Sequence, residues 1–167
     1  MTKCVSVTGN KLKFRAHGGN VSFTTGFFRD HYIYFVYAIL CKDKDSPGYM
    51  KIGHSFQPWS RLMSMNSKGL ATPKFIALSK VGREKSKAQA LEVELHGRFA
   101  HRLVRGEREW FEFDFANPDD KAEFNNVSLL AMKDVLGDGH SWWKVLPVRP
   151  DGKLSKAGAS ELSGLTV

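Results

Sequence analysis

The run YIYFVYAIL at 32–40 constrains the fold more than any other part of the chain. It is aromatic, aliphatic and β-branched throughout and carries no charge, so it reads as a buried central strand. The charged turn CKDKDSPG follows, with Pro47–Gly48 at its end, and YMKIGHS is then a second strand. Residues 32–54 therefore read as a hairpin.

The elements after the hairpin alternate. Pro58 at a first helical position opens a short helix, PWSRLMSMN, that ends near Lys68–Gly69. KFIALSKV, 74–81, is a third strand. The segment 84–104 is the clearest helix, with Ala88, Leu91, Leu95, Phe99 and Leu103 as an apolar stripe at helical spacing. EWFEF, 109–113, alternates like a strand or an extended closing segment. Asn117–Pro118 opens one more helix, stopped at Gly137, and SWWKVLPV is a last extended piece. The expected fold is α+β: a small antiparallel three-stranded sheet flanked by helices, in the order β-β-α-β-α. Four regions follow: a β-prone N-terminal arm (1–29), the main domain (30–115), a C-terminal helix and extended segment (116–149), and a Gly/Ser/Lys-rich flexible tail (150–167).

Length and charge narrow the function. The chain has 167 residues, which suits one domain of about 110–130 residues plus extensions. Hydrophobic residues make up 42%, enough to build a core. Lys and Arg outnumber Asp and Glu by 25 to 17, a net charge of +8 that most simply suits an anionic partner such as nucleic acid. Cys4 and Cys41 lie far apart with no CxxC spacing, which points to a reducing compartment and away from a cysteine-ligated zinc site. No secretory h-region follows Met1 and no apolar run approaches 18 residues, so a cytoplasmic protein that does not span a membrane is expected.

The polar residues that this fold would gather are Tyr34, Lys51, Arg61, Glu92 and His96. Tyr32 and Tyr34 share one strand face, and Glu92 and His96 share one helix face at a spacing of four. Such a set suits phosphodiester cleavage. A carboxylate holds Mg²⁺, which often takes only one or two protein carboxylates. The metal polarises the phosphoryl oxygen. An arginine fork matches phosphate and offsets charge that builds in the transition state. A phenol or amine beside those charges can serve as a base towards water. Taken singly, each residue has a plainer reading: a core tyrosine, a solvated lysine, a helix-surface arginine, a paired glutamate, a packed histidine.

The order of the motifs adds to this. YIY at 32–34 followed by KIG at 51–53 resembles the paired GIY and YIG strands of the GIY-YIG endonuclease superfamily. Arg61 stands ten residues after Lys51, and ALEVELH at 90–96 resembles the helix that carries the family's metal-binding glutamate. IYFVYA, KIGHS, SRL, LEVELHGRF and REWFEF, in that order, are most similar to the phage-type T5orf172/Mug113-like branch, over roughly 30–114. The resemblance implies a divalent-metal-dependent DNA endonuclease using Mg²⁺ or Mn²⁺. It makes Tyr34 the first-motif tyrosine, Arg61 the phosphate ligand and Glu92 the metal ligand, and it places His96 and Glu109–Trp110–Phe111 at the border of the site. Tyr32 stands where the family has the glycine of GIY, and Lys51 where it has the tyrosine of YIG. The base is then Tyr34, or Lys51, or Lys51 only orients water or phosphate. The family's late asparagine has no clear counterpart; Glu109 lies near its place.

Lys68, Lys85, Lys87, Arg98, Arg102 and Arg105 are the expected backbone-binding residues, with Arg108, Lys42, Lys44 and Lys74 in support. Trp142 and Trp143 either stack on unpaired bases or pack the C-terminal segment. No added recognition domain is evident, so sequence selectivity is expected to be low or supplied by a partner. A homodimer would give double-strand cuts with one metal per site. Two other readings stand beside the nuclease: a non-catalytic nucleic-acid-binding module that kept the fold, and a small phage-encoded interaction or regulatory factor.

Overall fold

Every residue from Phe35 to Cys41 is buried, and this run forms the centre of the sheet. The structure is a computed structural model and describes residues 13–14, 21–22, 32–43, 47–67, 72–142, 144–149 and 151. Two short strands, β1 (Lys13–Phe14) and β2 (Val21–Ser22), pair antiparallel. The rest of the N-terminal arm, Lys44, Lys68, Trp143 and the tail from 152 lie outside the described residues.

The central strand is β3 (Tyr34–Cys41). It pairs antiparallel with β4 (Tyr49–Ser55) on one side and β5 (Pro73–Gly82) on the other. Gly48, with φ +99°, brings the chain into β4 where a Cβ would stand 2.5 Å from the Phe113 carbonyl oxygen. The sheet differs from the expected three strands. β6 (Trp110–Glu112) adds to the β4 edge and β7 (Lys144–Pro147) to the β5 edge, giving the order β6-β4-β3-β5-β7. EWFEF and SWWKVLPV read only as extended segments in the sequence; their partners depend on non-local pairing that no local pattern encodes.

Strand alternation splits the core into two layers. Val36, Ala38 and Leu40 face helix α2 (Lys85–Arg98), through Ala88, Leu91 and Leu95, with Phe99 just beyond. Phe35, Tyr37, Ile39 and Cys41 face helix α1 (Pro58–Ser67), through Leu62 and Met65. Helix α3 (Pro118–Leu136) packs beside α2. Asn117 caps it by accepting a hydrogen bond from Asp119 N–H at 3.0 Å, Pro118 follows, and Gly137 at φ +92° ends it.

The stripe expected over 84–104 is shorter in the structure. α2 ends at Arg98 and tightens into a 3₁₀ turn over Ala100–Arg102. The chain then bends so that Val104 N–H donates to Trp110 O at 2.9 Å, which leaves Leu103 42% exposed.

Candidate active site

A cleft of about 270 Å³ opens at the free half of the β4 edge. β6 pairs only with Tyr49–Lys51, so beyond Lys51 β4 keeps β3 on one side and, among the described residues, has no strand on the other. Gly53 lies in that stretch, opposite Tyr37 in the β3 register. It has no side chain to fill the space, and the Tyr37 ring lies over it: a Cβ on Gly53 would meet Tyr37 Cζ at 2.6 Å. Tyr37, Lys51, Arg61, Ser64, Met65 and Trp110 line the cleft from the α1 layer. His54 and Glu92 line it from the α2 side, and Glu109 stands at its mouth.

Each side chain is placed by a local rule. Arg61 and Met65 are four apart on α1, so the helix face that buries Met65 turns Arg61 towards the cleft. Lys51 and Gly53 alternate with buried Met50 and Ile52 along β4. Glu92 follows buried Leu91 on α2 and reaches past the sheet edge.

The charges are not equally engaged. Lys51 Nζ forms an ion pair with the Glu109 carboxylate and lies 5.7 Å from the centre of the Trp110 ring. The Lys51 hydrogen bond lowers the Glu109 carboxyl below its usual range, against the opposing effect of burial; the charges of Lys51, His96 and Arg61 add to the lowering. His54 Nδ1–H donates to the Glu92 carboxylate, because a carboxylate can only accept. That bond leaves His54 Nε2 as the second ring nitrogen. Arg61 is exposed and has neither an ion pair nor a hydrogen bond from its side chain among the described residues. Burial pushes the Tyr37 phenol up to about 12; Arg61 opposes this, and Glu92 and Glu109 reinforce it. Tyr37 is therefore a neutral hydroxyl at neutral pH.

The cleft gathers three of the five expected residues, Lys51, Arg61 and Glu92. Tyr34 lies on the opposite face of β3 from Tyr37, packed on the α2-side core and edge-on to Phe56 at 6.1 Å. Tyr37 is the phenol in the cleft, and odd spacing along one strand separates the two. His96 does not line it either. Its Nε2 donates to Ile52 O at 3.2 Å and its ring meets Phe111 at 5.2 Å, so it supports β4 and β6 from below. His54 and Tyr37 are the residues that the sequence reading missed. The available signal was His54 beside Gly53 and the parity of Tyr37 with Phe35 and Ile39.

Three of the five described residues expected on the basic surface are engaged with acids. Lys87 pairs with Glu84 at 2.8 Å, and Arg98 pairs with Glu94 at 2.7 Å and Asp134 at 2.5 Å. Arg102 binds Asp120 at 3.0 Å and Glu123, and its guanidinium lies 4.3 Å from the centre of the Phe113 ring. Lys85 and Arg105 are exposed without an ion pair among the described residues. Trp142 packs face to face on Phe124 at 5.0 Å and donates its indole N–H to Ser128 Oγ.

Among the described residues no group of three or more His, Cys, Asp or Glu is placed to hold a metal, and no helix is long and apolar enough to cross a membrane. A single carboxylate fixed by a histidine does not make a zinc cage. It fits a hard cation that keeps most of its shell as water and substrate oxygen.

The fold and the cleft define an α+β protein with a polar cleft at an open sheet edge, where Lys51 and Arg61 stand with Glu92 and Glu109. The T5orf172 domain model matches residues 31–127, and the chain belongs to the T5orf172 domain family. Neither the curated proteins nor the solved structures compared with it gave a match.

Proposed function

We infer that the cleft binds a nucleic-acid phosphodiester and hydrolyses it, as a divalent-metal-dependent endonuclease of the GIY-YIG type acting on DNA. The observation that carries this is Arg61: an arginine whose side chain has no ion pair or hydrogen bond among the described residues, in the same cleft as a carboxylate that a histidine holds in place. Membership of the T5orf172 family and the ordered resemblance to GIY-YIG nucleases support the same reading.

In this reading the Arg61 fork binds the scissile phosphate, as its planar geometry favours, and offsets charge as it builds. The Lys51 ammonium adjoins the same phosphate and orients it. Tyr37 takes the role first assigned to Tyr34. As a neutral hydroxyl it donates a hydrogen bond to the phosphoryl oxygen or positions the attacking water, rather than waiting as a phenolate. His54 fixes the Glu92 carboxylate. Glu92 would hold Mg²⁺ or Mn²⁺, which when bound supplies Lewis-acid polarisation of the phosphate. Sequence selectivity is low or supplied by a partner; one face of the Trp142 ring is taken up by Phe124 rather than offered to a base.

A second reading has an observation of its own. Lys51 is neutralised by Glu109 and Tyr37 is un-ionised, which suits a module that binds nucleic acid without cutting it. Supercoiled plasmid incubated with Mg²⁺ or Mn²⁺ separates the two. Nicking that both EDTA and Glu92→Ala abolish establishes the nuclease. A salt-dependent mobility shift without nicking establishes the binding module. Neither result would leave a protein-interaction role.

A further inference from the structure

Two groups of cations among the described residues differ in what they touch. Those between α2 and α3 are satisfied by acids: Arg98 by Glu94 and Asp134, Arg102 by Asp120 and Glu123. Those at the end of the sheet beside the cleft are not. Lys80, Arg83 and Lys85 are exposed and have no ion pair among the described residues.

The strand register places this second set. Phe35 pairs with Ser55 on one side and with Lys80 on the other. Ser55, Phe35 and Lys80 thus form one row across three strands. With strands about 4.8 Å apart, Lys80 lies roughly 10 Å from Ser55, the residue after His54. Paired residues share a face, so Lys80 is on the α1 side, the side of Arg61. Gly82 pairs with Tyr34, and Arg83 and Lys85 follow immediately beyond that end of the sheet. An aromatic ridge borders the same end: Tyr32 stacks on Phe56 at 4.3 Å, and Tyr34 meets Phe56 edge-on.

We propose that Lys80, Arg83 and Lys85 continue the phosphate site of Arg61 as a track for the nucleic-acid backbone across the cleft end of the sheet. The partner is a polyanionic strand whose phosphates recur about every 3.4 Å of duplex axis, so the roughly 10 Å from Ser55 to Lys80 corresponds to about three of them along that axis. A cation already satisfied by a carboxylate gains little from a phosphate, whereas an unpaired one releases counterions when it binds. The track therefore belongs to the sheet end and not to the α2–α3 face. This rests on the cleft being a nucleic-acid site.

β5 supplies its own control. Lys74 is on the same strand as Lys80, also exposed and without an ion pair among the described residues, and six residues away, or about 20 Å. Binding of a short fluorescein-labelled DNA duplex is measured by anisotropy across a salt series in EDTA, for the full chain and for Lys80→Gln, Arg83→Gln, Lys74→Gln and Arg61→Ala. Lys80→Gln and Arg83→Gln should each flatten the plot of log K against log salt by about 0.9 and weaken binding about three- to tenfold, with Lys74→Gln unchanged. If all three glutamine variants behave alike while Arg61→Ala loses affinity, the track is wrong and the cleft reading stands. If the native chain does not bind the duplex, or binds phosphatidylserine vesicles instead, both are wrong. Circular dichroism melts of the variants exclude misfolding as the cause of a loss.

Discussion

Tyr37 and Gly53 face each other across the β3–β4 pair, and the ring of one occupies the space where the other has no side chain. The gap between a Gly53 Cβ and Tyr37 Cζ would be 2.6 Å, well inside contact distance. The requirement for glycine here is one of space, not of a left-handed backbone. Gly53→Ala must therefore move the Tyr37 ring, which is nearly fully buried. Overpacking of this kind costs about 1–3 kcal/mol. Urea denaturation should show the loss. Plasmid nicking should fall further than stability does, since the displaced ring is also the phenol of the cleft. A variant as stable and as active as the native chain would remove Tyr37 from the site.

Tyr37→Phe separates the hydroxyl from the ring. The ring's packing on the α1-side core is kept, so stability should change by less than about 1 kcal/mol. Nicking should fall at least about tenfold, the effect of losing one donor to developing charge. Tyr34→Phe should leave the rate near native, because Tyr34 lies on the other face of β3. The reverse pattern would restore the assignment read from the YIY motif.

Lys51 and Glu109 allow a test with the opposite sign. The ion pair neutralises a cation that faces the cleft. An incoming phosphate must compete with Glu109 for Lys51. Glu109→Gln should tighten DNA binding about two- to fivefold, the range of a half-exposed pair. The gain should vanish in a Lys51→Ala background. Glu107→Gln, which removes an equal charge from a nearby exposed position, should give a smaller gain that survives Lys51→Ala. Anisotropy titrations of Lys51→Ala, of each glutamine variant and of each combined with Lys51→Ala would decide it.

Alkaline pH should weaken the fold through two buried acids. Burial raises the Cys41 thiol from 9.0 to about 12, with Asp43 adding to the rise and Lys74 opposing it. It raises the Tyr37 phenol from 10.0 to about 12. In both, the folded state favours the neutral form, so the unfolded chain ionises first. The stability is complete below the unfolded values of 9.0 and 10.0 and drains away as pH climbs towards 12. Each group contributes on the order of 2–4 kcal/mol over that window. Urea midpoints at pH 8 to 11 should fall accordingly, and Cys41→Ala should flatten the part that begins near 9.0. A midpoint independent of pH over this range would contradict the burial of both.

How far the sequence could carry these conclusions varied with the range of the interaction. β3 was readable because burial on both faces leaves an uninterrupted apolar run. α3 was readable because Asn117, Pro118 and Gly137 act within a turn of the helix. Lys51, Arg61 and Glu92 were readable as a group because each sits in its own short motif. The choice between Tyr34 and Tyr37 was not. Both are tyrosines of one strand, and which face meets the cleft depends on where α1 docks. The His54–Glu92 bond joins residues 38 apart and has no local sign. The two outer strands belong to the same class: β6 and β7 have ordinary extended sequences, and only the assembled sheet gives them edges to join.

Arg98 and Arg102 show the same limit on the charged surface, and they yield the last prediction. The sequence reading placed both on the helix expected over 84–104, as part of a backbone-binding surface. Glu94, four residues before Arg98 on α2, was within reach of a local reading; the other acids that engage them, Asp120, Glu123 and Asp134, lie on α3, whose position against α2 cannot be read from either helix alone. Arg102 joins three elements: it binds Asp120 and Glu123 on α3, donates to Glu112 O of β6 at 3.3 Å, and lies against Phe113. The Arg102 hydrogen bond holds the Glu123 carboxyl below its ordinary range. Arg102→Ala removes the cation shared by Asp120 and Glu123, leaving Asp120 with Asp114 N–H and Glu123 with His101, and uncovers Phe113. It should cost about 1–3 kcal/mol in urea denaturation. Arg102→Lys should recover only part of this, since lysine has no fork to span Asp120 and Glu123. Because a depressed carboxyl stabilises above its unfolded pKa, the difference between native chain and Arg102→Ala should shrink as pH falls through the ordinary carboxylate range. DNA affinity, measured where both proteins remain folded, should not change. A loss of affinity as large as that of Arg61→Ala, with no loss of stability, would return Arg102 to the nucleic-acid surface.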